Sequence, residues 1–202
     1  MGIIILDTET LGLPSKEDAI CQVALLSDIE GEWIAEESYI KNNKQITSNA
    51  MAIHHITNEM VEDAPIFEES TPIQFLRKHN TNEHIMVLQN APFDLGVLAN
   101  MGFIWKGRIV DTLICAKHLL STPRYALQYL RYELGLYKDE KSISDALGKQ
   151  IMAHDALSDA IVTKLLLNHL LTLANNDIQN LLTLSVEPVL LKIVPFGKYR
   201  GE

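Results

Sequence analysis

The chain has 202 residues and a mass of 22.7 kDa, with 47% hydrophobic and 21% charged residues and a mean hydropathy of +0.05. That size favours one domain, or one domain plus a small appendage, and that balance excludes a disordered chain, a collagen and a disulfide scaffold. The formal net charge is −9, with 5 basic and 16 acidic residues in 1–100 against 12 basic and 10 acidic in 101–202. This excludes gripping a long polyanion by charge alone and leaves contact through intervening metal ions.

In chain order, Gly2 to Leu6 is a short apolar run that predicts a buried strand ending at Asp7. Ile20 to Ile29 and Glu32 to Ile40 read as two further strands turning at Glu30-Gly31, which suggests an antiparallel meander. Thr47-Ser48 opens a short helix, Asn58 caps another turn, and Phe67 to His79 reads as one helix with acids first and Arg77-Lys78 last. His84 to Gln89 is a buried strand, and Pro92 begins a helix that ends near Gly102. Arg108 to Val110 is a short strand leading through Asp111 into a helix as far as Leu120. Tyr125 to Leu134, Asp155 to Leu173 and Asp177 to Leu184 are predicted helices, and Pro188 to Val194 a strand-like tail. The expected fold is one α/β domain with a mixed sheet.

No apolar run approaches the roughly 18 residues that span a bilayer, and the longest, Ile161 to Leu173, contains Thr163, Lys164, Asn168 and His169. The N-terminus reads as neither a signal peptide nor a myristoylation site. Cys21 and Cys115 form no C-x-x-C pair and read as reduced core residues, the usage of a cytoplasmic protein.

Three acidic motifs carry the chemistry. Asp7-Thr8-Glu9-Thr10 lies at a strand end, and residues two apart on a strand share a face, so Asp7 and Glu9 aim at one point. Close unpaired carboxylates repel, and a divalent cation removes that conflict. Gln89-Asn90-Ala91-Pro92-Phe93-Asp94 follows another buried strand and puts Asp94 in the first turn of a helix. His154-Asp155-Ala156-Leu157-Ser158-Asp159 opens the longest helix. Five helical residues rotate about 140°, so His154 is expected before the helix, bending toward Asp159 from the side. Asp111 also follows a strand, but Asp-Thr before a helix reads as a cap.

The order D-x-E, N-A-x-F-D, H-x-x-x-x-D over positions 7 to 159 resembles the DEDDh exonucleases, which include polymerase proofreading subunits, oligoribonuclease and RNase T. The stretch from Ile46 to Thr57, with Ala50-Met51-Ala52-Ile53-His54-His55, and the terminal Phe196-Gly197-Lys198-Tyr199-Arg200-Gly201 resemble one branch of that family. Two departures stand out. Gln89 replaces the His or Gly of many members, and Leu95-Gly96 rather than a basic residue follows Asp94.

The resemblance implies a ribonuclease H-like mixed five-stranded sheet flanked by helices. It implies an exonuclease domain over 1–175, with 176–202 an appended helix and tail that is not an independent domain. It further implies hydrolysis of DNA from 3′ ends to 5′-mononucleotides with two Mg²⁺ ions, for which Mn²⁺ would substitute. Asp7 would bridge both ions, Glu9 and Asp159 would complete the site of the attacking water, and Asp94 would serve the second ion. His154 would accept the proton from that water, histidine being the side chain that titrates near neutrality.

Substrate contacts are expected from backbone N–H groups over Thr8, Thr10 and Leu11. Leu11 is read as a wedge against the last base, Phe93 as a stacking platform, Asn90 as fixing its loop, and His54 as meeting a base or holding its own loop. Lys138, Lys141, Lys149, Lys192, Lys198 and Arg200 are candidates for lining the groove beyond the site. The expected partner is a DNA 3′ end, single-stranded or a frayed duplex, with no membrane. Exoribonuclease action on short RNA and a polymerase proofreading role are the alternatives, and no residue selects a 2′-hydroxyl.

Overall fold

The computed structural model describes residues 1–29, 31, 33–147 and 150–190. The predicted turn at Glu30-Gly31 is therefore described only in part. The tail from residue 191, with Lys192, Lys198, Arg200 and the Phe-Gly-Lys-Tyr-Arg-Gly element, lies outside the described residues, as does Lys149.

The chain opens with β1 (Ile3–Thr10), β2 (Ile20–Ser27) and β3 (Ile34–Tyr39). Helices α1 (Ser48–His54), α2 (Asn58–Val61) and α3 (Thr71–Lys78) follow, then β4 (Ile85–Leu88), α4 (Ala91–Asn100), β5 (Arg108–Asp111) and α5 (Thr112–Leu119). The remainder is helical: α6 (Leu127–Glu133), α7 (Glu140–Leu147), α8 (Ala156–Leu173) and α9 (Ile178–Leu184). The sheet order is β3-β2-β1-β4-β5. The first three strands are the predicted antiparallel meander, and β1–β4 and β4–β5 are parallel.

Alternation along β1 explains the two-sided core. Ile5 joins Ala24, Leu26, Val87 and Val110 on the face covered by α5, α6, α8 and α9. Ile4 and Leu6 join Val23, Leu25, Met86 and Leu88 on the face covered by α3 and α4. A strand buried on both faces reads as a continuous apolar run. Helix α8 packs against both β1 and β2, and Ala156 through Thr163 are all buried. By length and composition it alone, among the described residues, would be long and apolar enough to cross a membrane, yet 67% of it is buried here as a core helix. Leu181 of α9 is also fully buried in the α8-side core.

Four local expectations are corrected. The first strand continues through Thr10, because β2 pairs with it as far as Thr10↔Ile20. The predicted helix from Phe67 to His79 is a single 3-10 turn, Phe67–Glu69, then α3. Ser70 is extended between them, since Pro72 has no N–H to continue a helix and suits a first turn. Thr57, not Asn58, occupies the cap position of α2, and Asn58 Oδ1 instead accepts from the Ile46 N–H at 2.8 Å. Helix α7 had no predicted counterpart.

Candidate active site

Pairing between β1 and β4 ends at Ile5↔Val87, while pairing with β2 continues past Asp7↔Ala24 and Glu9↔Gln22. The acidic half of β1 therefore pairs with a strand on one edge only. Asp7 and Glu9 follow Ile3 and Ile5 in the two-residue alternation, which turns them to the α8 side. A register shift between Glu9 and Thr10 ends the regular strand just past the acids.

Asp94 arrives from the opposite layer. Beyond β4 the chain reverses at Asn90, whose φ of 69° is left-handed, a region asparagine tolerates. Asp94 then lies in the first turn of α4, buried, and accepts a hydrogen bond from the Thr8 hydroxyl at 2.7 Å. The start of α4 is held by Asp111. Its Oδ1 accepts from the Leu113 and Ile114 N–H groups at 2.9 and 3.2 Å, the predicted cap of α5. The same carboxylate also accepts from the N–H groups of Asn90 at 3.3 Å and Ala91 at 3.0 Å. One buried acid thus fastens two helix starts. Gln89 is equally structural, accepting from Thr112 Oγ1 and donating to the Tyr125 carbonyl at 3.0 Å.

The third motif is organised by Asp155, the N-cap of α8, which accepts from the Ser158 N–H at 3.1 Å. Gln22 donates to Asp155 Oδ1 at 3.0 Å and accepts from the Ala156 N–H at 3.1 Å. Because Gln22 is the β2 partner of Glu9, this pair sets the start of α8 beside Glu9. His154 precedes the cap with φ 60°, exposed and outside the helix as expected. Ligand atoms of Glu9, His154 and Asp159 lie within 4.8 Å of one another. Asp159 is buried and accepts from Gln128 Nε2 at 2.6 Å.

The electrostatics follow from burial. Asp7 is pushed well above the carboxylate range by desolvation first, then by the charges of Asp94, Asp159, Glu9 and Asp155. Burial, with Asp159, Asp94 and Asp155 adding to it, lifts Glu9 to about 8. Burial lifts Asp94 to about 7 against the hydrogen bond from Thr8. Asp159 is lifted to about 7 by burial, with the hydrogen bond from the His154 backbone N–H drawing it down, Asp155 adding to the rise, and Arg131 and Gln128 lowering it further. Four carboxylates whose burial and mutual repulsion resist joint ionisation are an oxygen donor set suited to hard divalent ions. Glu9, His154 and Asp159 have the spacing to hold one.

The expected substrate-contacting residues divide. Phe93 is 48% exposed and Asn90 is exposed at the mouth of α4. Leu11, expected as a wedge, is instead fully buried with Cys21, Ile46, Ala50, Ile56 and Val61, so its side chain offers no face to a base. Its N–H is also committed, to the Ala19 carbonyl at 2.9 Å. The Thr8 hydroxyl serves Asp94, and Thr10 is buried. His54 is buried, its Nδ1 accepting from the Ile56 N–H at 3.0 Å and its Nε2 lying 3.1 Å from the Thr10 carbonyl, which fits the loop-holding reading rather than base contact. Lys138 and Lys141 are exposed. Sequence reasoning missed Gln22 and Gln128 and saw only half of the role of Asp111. Their partners lie 133, 31 and 21 residues away, and no local pattern marks such pairs.

This sheet order, with acids from β1, α4 and α8 gathered beside its central strand, defines a ribonuclease H-like nuclease fold. A family model described as "Exonuclease" (RNase_T) matches residues 4–167. The chain belongs to this exonuclease family, in its DEDDh group, and is a nuclease-type hydrolase. The branch that residues 46–57 resemble is that of exodeoxyribonuclease X. Exodeoxyribonuclease 10 of Escherichia coli K12 is 30% identical over 199 residues, covering 98% of this chain and 81% of that protein. A PolC-type DNA polymerase III of Thermotoga maritima is 32% identical over 154 residues, covering 71% of this chain and 11% of that protein. Among solved structures, exonuclease X in complex with 5′ overhanging duplex DNA superposes with a TM-score of 0.65 at 25% identity, covering 91% of this chain and 99% of that one.

Proposed function

We propose that the protein is a metal-dependent 3′–5′ exodeoxyribonuclease that releases 5′-mononucleotides from DNA 3′ ends in repair or end processing. The single observation that supports this most is the convergence of Asp7, Glu9, Asp94 and Asp159, each raising or feeling the others' charge, around the point that His154 approaches. The names of the relatives, a deoxyribonuclease and a DNA polymerase, favour DNA over RNA.

Two Mg²⁺ ions, with Mn²⁺ as substitute, would supply an activated water and stabilise the leaving 3′ oxygen. In this reading Asp7, Glu9, Asp94 and Asp159 would hold the ions, with Glu9 and Asp159 beside the attacking water, Asp94 serving the second ion and Asp7 serving both. His154 takes the proton from the attacking water, and its exposed position ahead of α8 leaves its ring room to do so. Phe93 stacks on a terminal nucleotide, and Asn90 fixes the loop beside it. Residues 1–175 act as the catalytic domain, with 176–202 as an appendage that does not fold alone. The two buried free cysteines, Cys21 and Cys115, suit the cytoplasm.

The test is to incubate the protein with 5′-labelled and uniformly labelled single-stranded, frayed and blunt DNA, and with matching RNA, in Mg²⁺ or EDTA. Stepwise shortening from the 3′ end, mononucleotide products and loss in EDTA are expected. Preferential degradation of RNA, or EDTA-resistant cleavage, overturns the reading.

A further inference from the structure

Helix α6 carries two polar residues, three apart and so on one face, that continue the site inward. Gln128 donates from Nε2 to Asp159 Oδ1 at 2.6 Å and accepts at Oε1 from Arg131 Nη1 at 3.1 Å. Arg131 is buried, and its Nε and Nη2 each donate to the buried Glu140 of α7 at 2.6 Å. The line Glu140–Arg131–Gln128–Asp159 thus runs from α7 through α6 to an acid of the site.

The chemistry of the two ends fixes the amide between them. A guanidinium only donates, and an ionised carboxylate only accepts. The oxygen of the Gln128 amide must therefore face Arg131, and its NH₂ must face Asp159. Glu140 occupies the guanidinium from its other side in a two-pronged contact, which limits its rotation.

We infer that Gln128 is a positioning residue for the reaction. By donating to Oδ1 of Asp159, beside the bond that the His154 backbone N–H gives the same carboxylate, it would fix the plane in which Asp159 joins Glu9 in holding a cation. Arg131 and Glu140 set the polarity of the amide that does this. The inference rests on the metal-site reading above.

The test pairs Gln128→Met, which keeps the length and removes both hydrogen bonds, with Gln128→Glu, which keeps an acceptor for Arg131 and removes the donor toward Asp159. Asp159→Ala serves as reference. Mn²⁺ affinity is measured without DNA by electron paramagnetic resonance, turnover with labelled DNA, and melting temperature without metal. Gln128→Met should weaken Mn²⁺ binding and lower kcat by about 10–100-fold, the usual cost of losing a partner of a metal ligand, with KM and the metal-free melting temperature near wild type. Gln128→Glu should recover none of the lost kcat, whereas a role confined to packing Arg131 predicts recovery, and recovery overturns the inference. If Asp159→Ala loses Mn²⁺ while Gln128→Met binds and turns over like wild type, the positioning role alone fails. If Asp159→Ala binds Mn²⁺ like wild type, the metal-site reading itself fails.

Discussion

The hydroxyl of Thr8 lies 2.7 Å from the carboxylate of Asp94 and ties β1 of the sheet to α4 in the layer above it. Thr8 sits on the face of β1 opposite Asp7 and Glu9, so the strand that presents two acids to one side also steadies a third from the other. Thr8→Val keeps the shape and removes the donor. Asp94 should then hold its proton more tightly, because the hydroxyl is what draws its pKa down against burial. We expect turnover to fall by about 10–100-fold, with part of the loss recovered at higher Mg²⁺. A metal titration of activity on the variant checks this.

Asp7→Asn should abolish hydrolysis and raise the metal-free melting temperature. Asp7 is buried among like charges, and neutralising it removes repulsion that each neighbouring acid feels. Paired measurements of activity and thermal unfolding in EDTA distinguish this from misfolding, which would lower the melting temperature.

The pH dependence has a definite sign. Asp7, Glu9, Asp94 and Asp159 have folded-state pKa values above their unfolded values, so between about pH 4 and pH 8 the folded protein binds more protons than the unfolded chain. The stability these acids permit is fully present below that window and is lost as pH rises through about 7 and 8, the folded values of Asp94, Asp159 and Glu9. A bound divalent cation replaces the protons. The gain in melting temperature from Mg²⁺ should therefore widen steadily from about pH 5.5 to about pH 8.5. Calorimetric scans with Mg²⁺ and with EDTA across that range test it, and a constant gain would contradict the arrangement.

His154 calls for a variant that respects its backbone. At φ 60° an alanine would add strain of about 1 kcal/mol, whereas asparagine is at ease there. His154→Asn should lower turnover by roughly 10²–10⁴-fold while leaving stability nearly unchanged. Single-turnover rates and melting curves on the same preparation read both quantities. Near wild-type turnover would leave the histidine outside the proton path.

The acids were legible in the sequence because local rules place each of them. A two-residue period sets Asp7 and Glu9 on one face, and Asp94 and Asp159 open helices that caps and proline announce. His154 was legible for the same reason, since a helix cannot carry it and Asp159 on one face. Leu11 was misread because exposure is not a local property. An apolar residue after a strand can wedge or pack, and here the helix α1 closes over it. Gln22, Gln128 and Arg131 were invisible, being ordinary polar residues whose roles arise only when β2, α6 and α8 are brought together. Helix α7 was missed because Glu140–Leu147 follows two interruptions, Gly135 and the 3-10 turn at Leu136–Lys138, that read as a loop.

The shared cap at Asp111 has a consequence for genetics. Its oxygens are engaged by N–H groups of Asn90, Ala91, Leu113 and Ile114, so losing it loosens the very turn that delivers Asp94. A screen that scores only lost nuclease activity would return Asp111 beside the four acids, and a survey of essential carboxylates would count five. Scoring the same colonies for the amount of soluble protein would separate them. The four site variants should accumulate normally, and the Asp111 variants should be depleted.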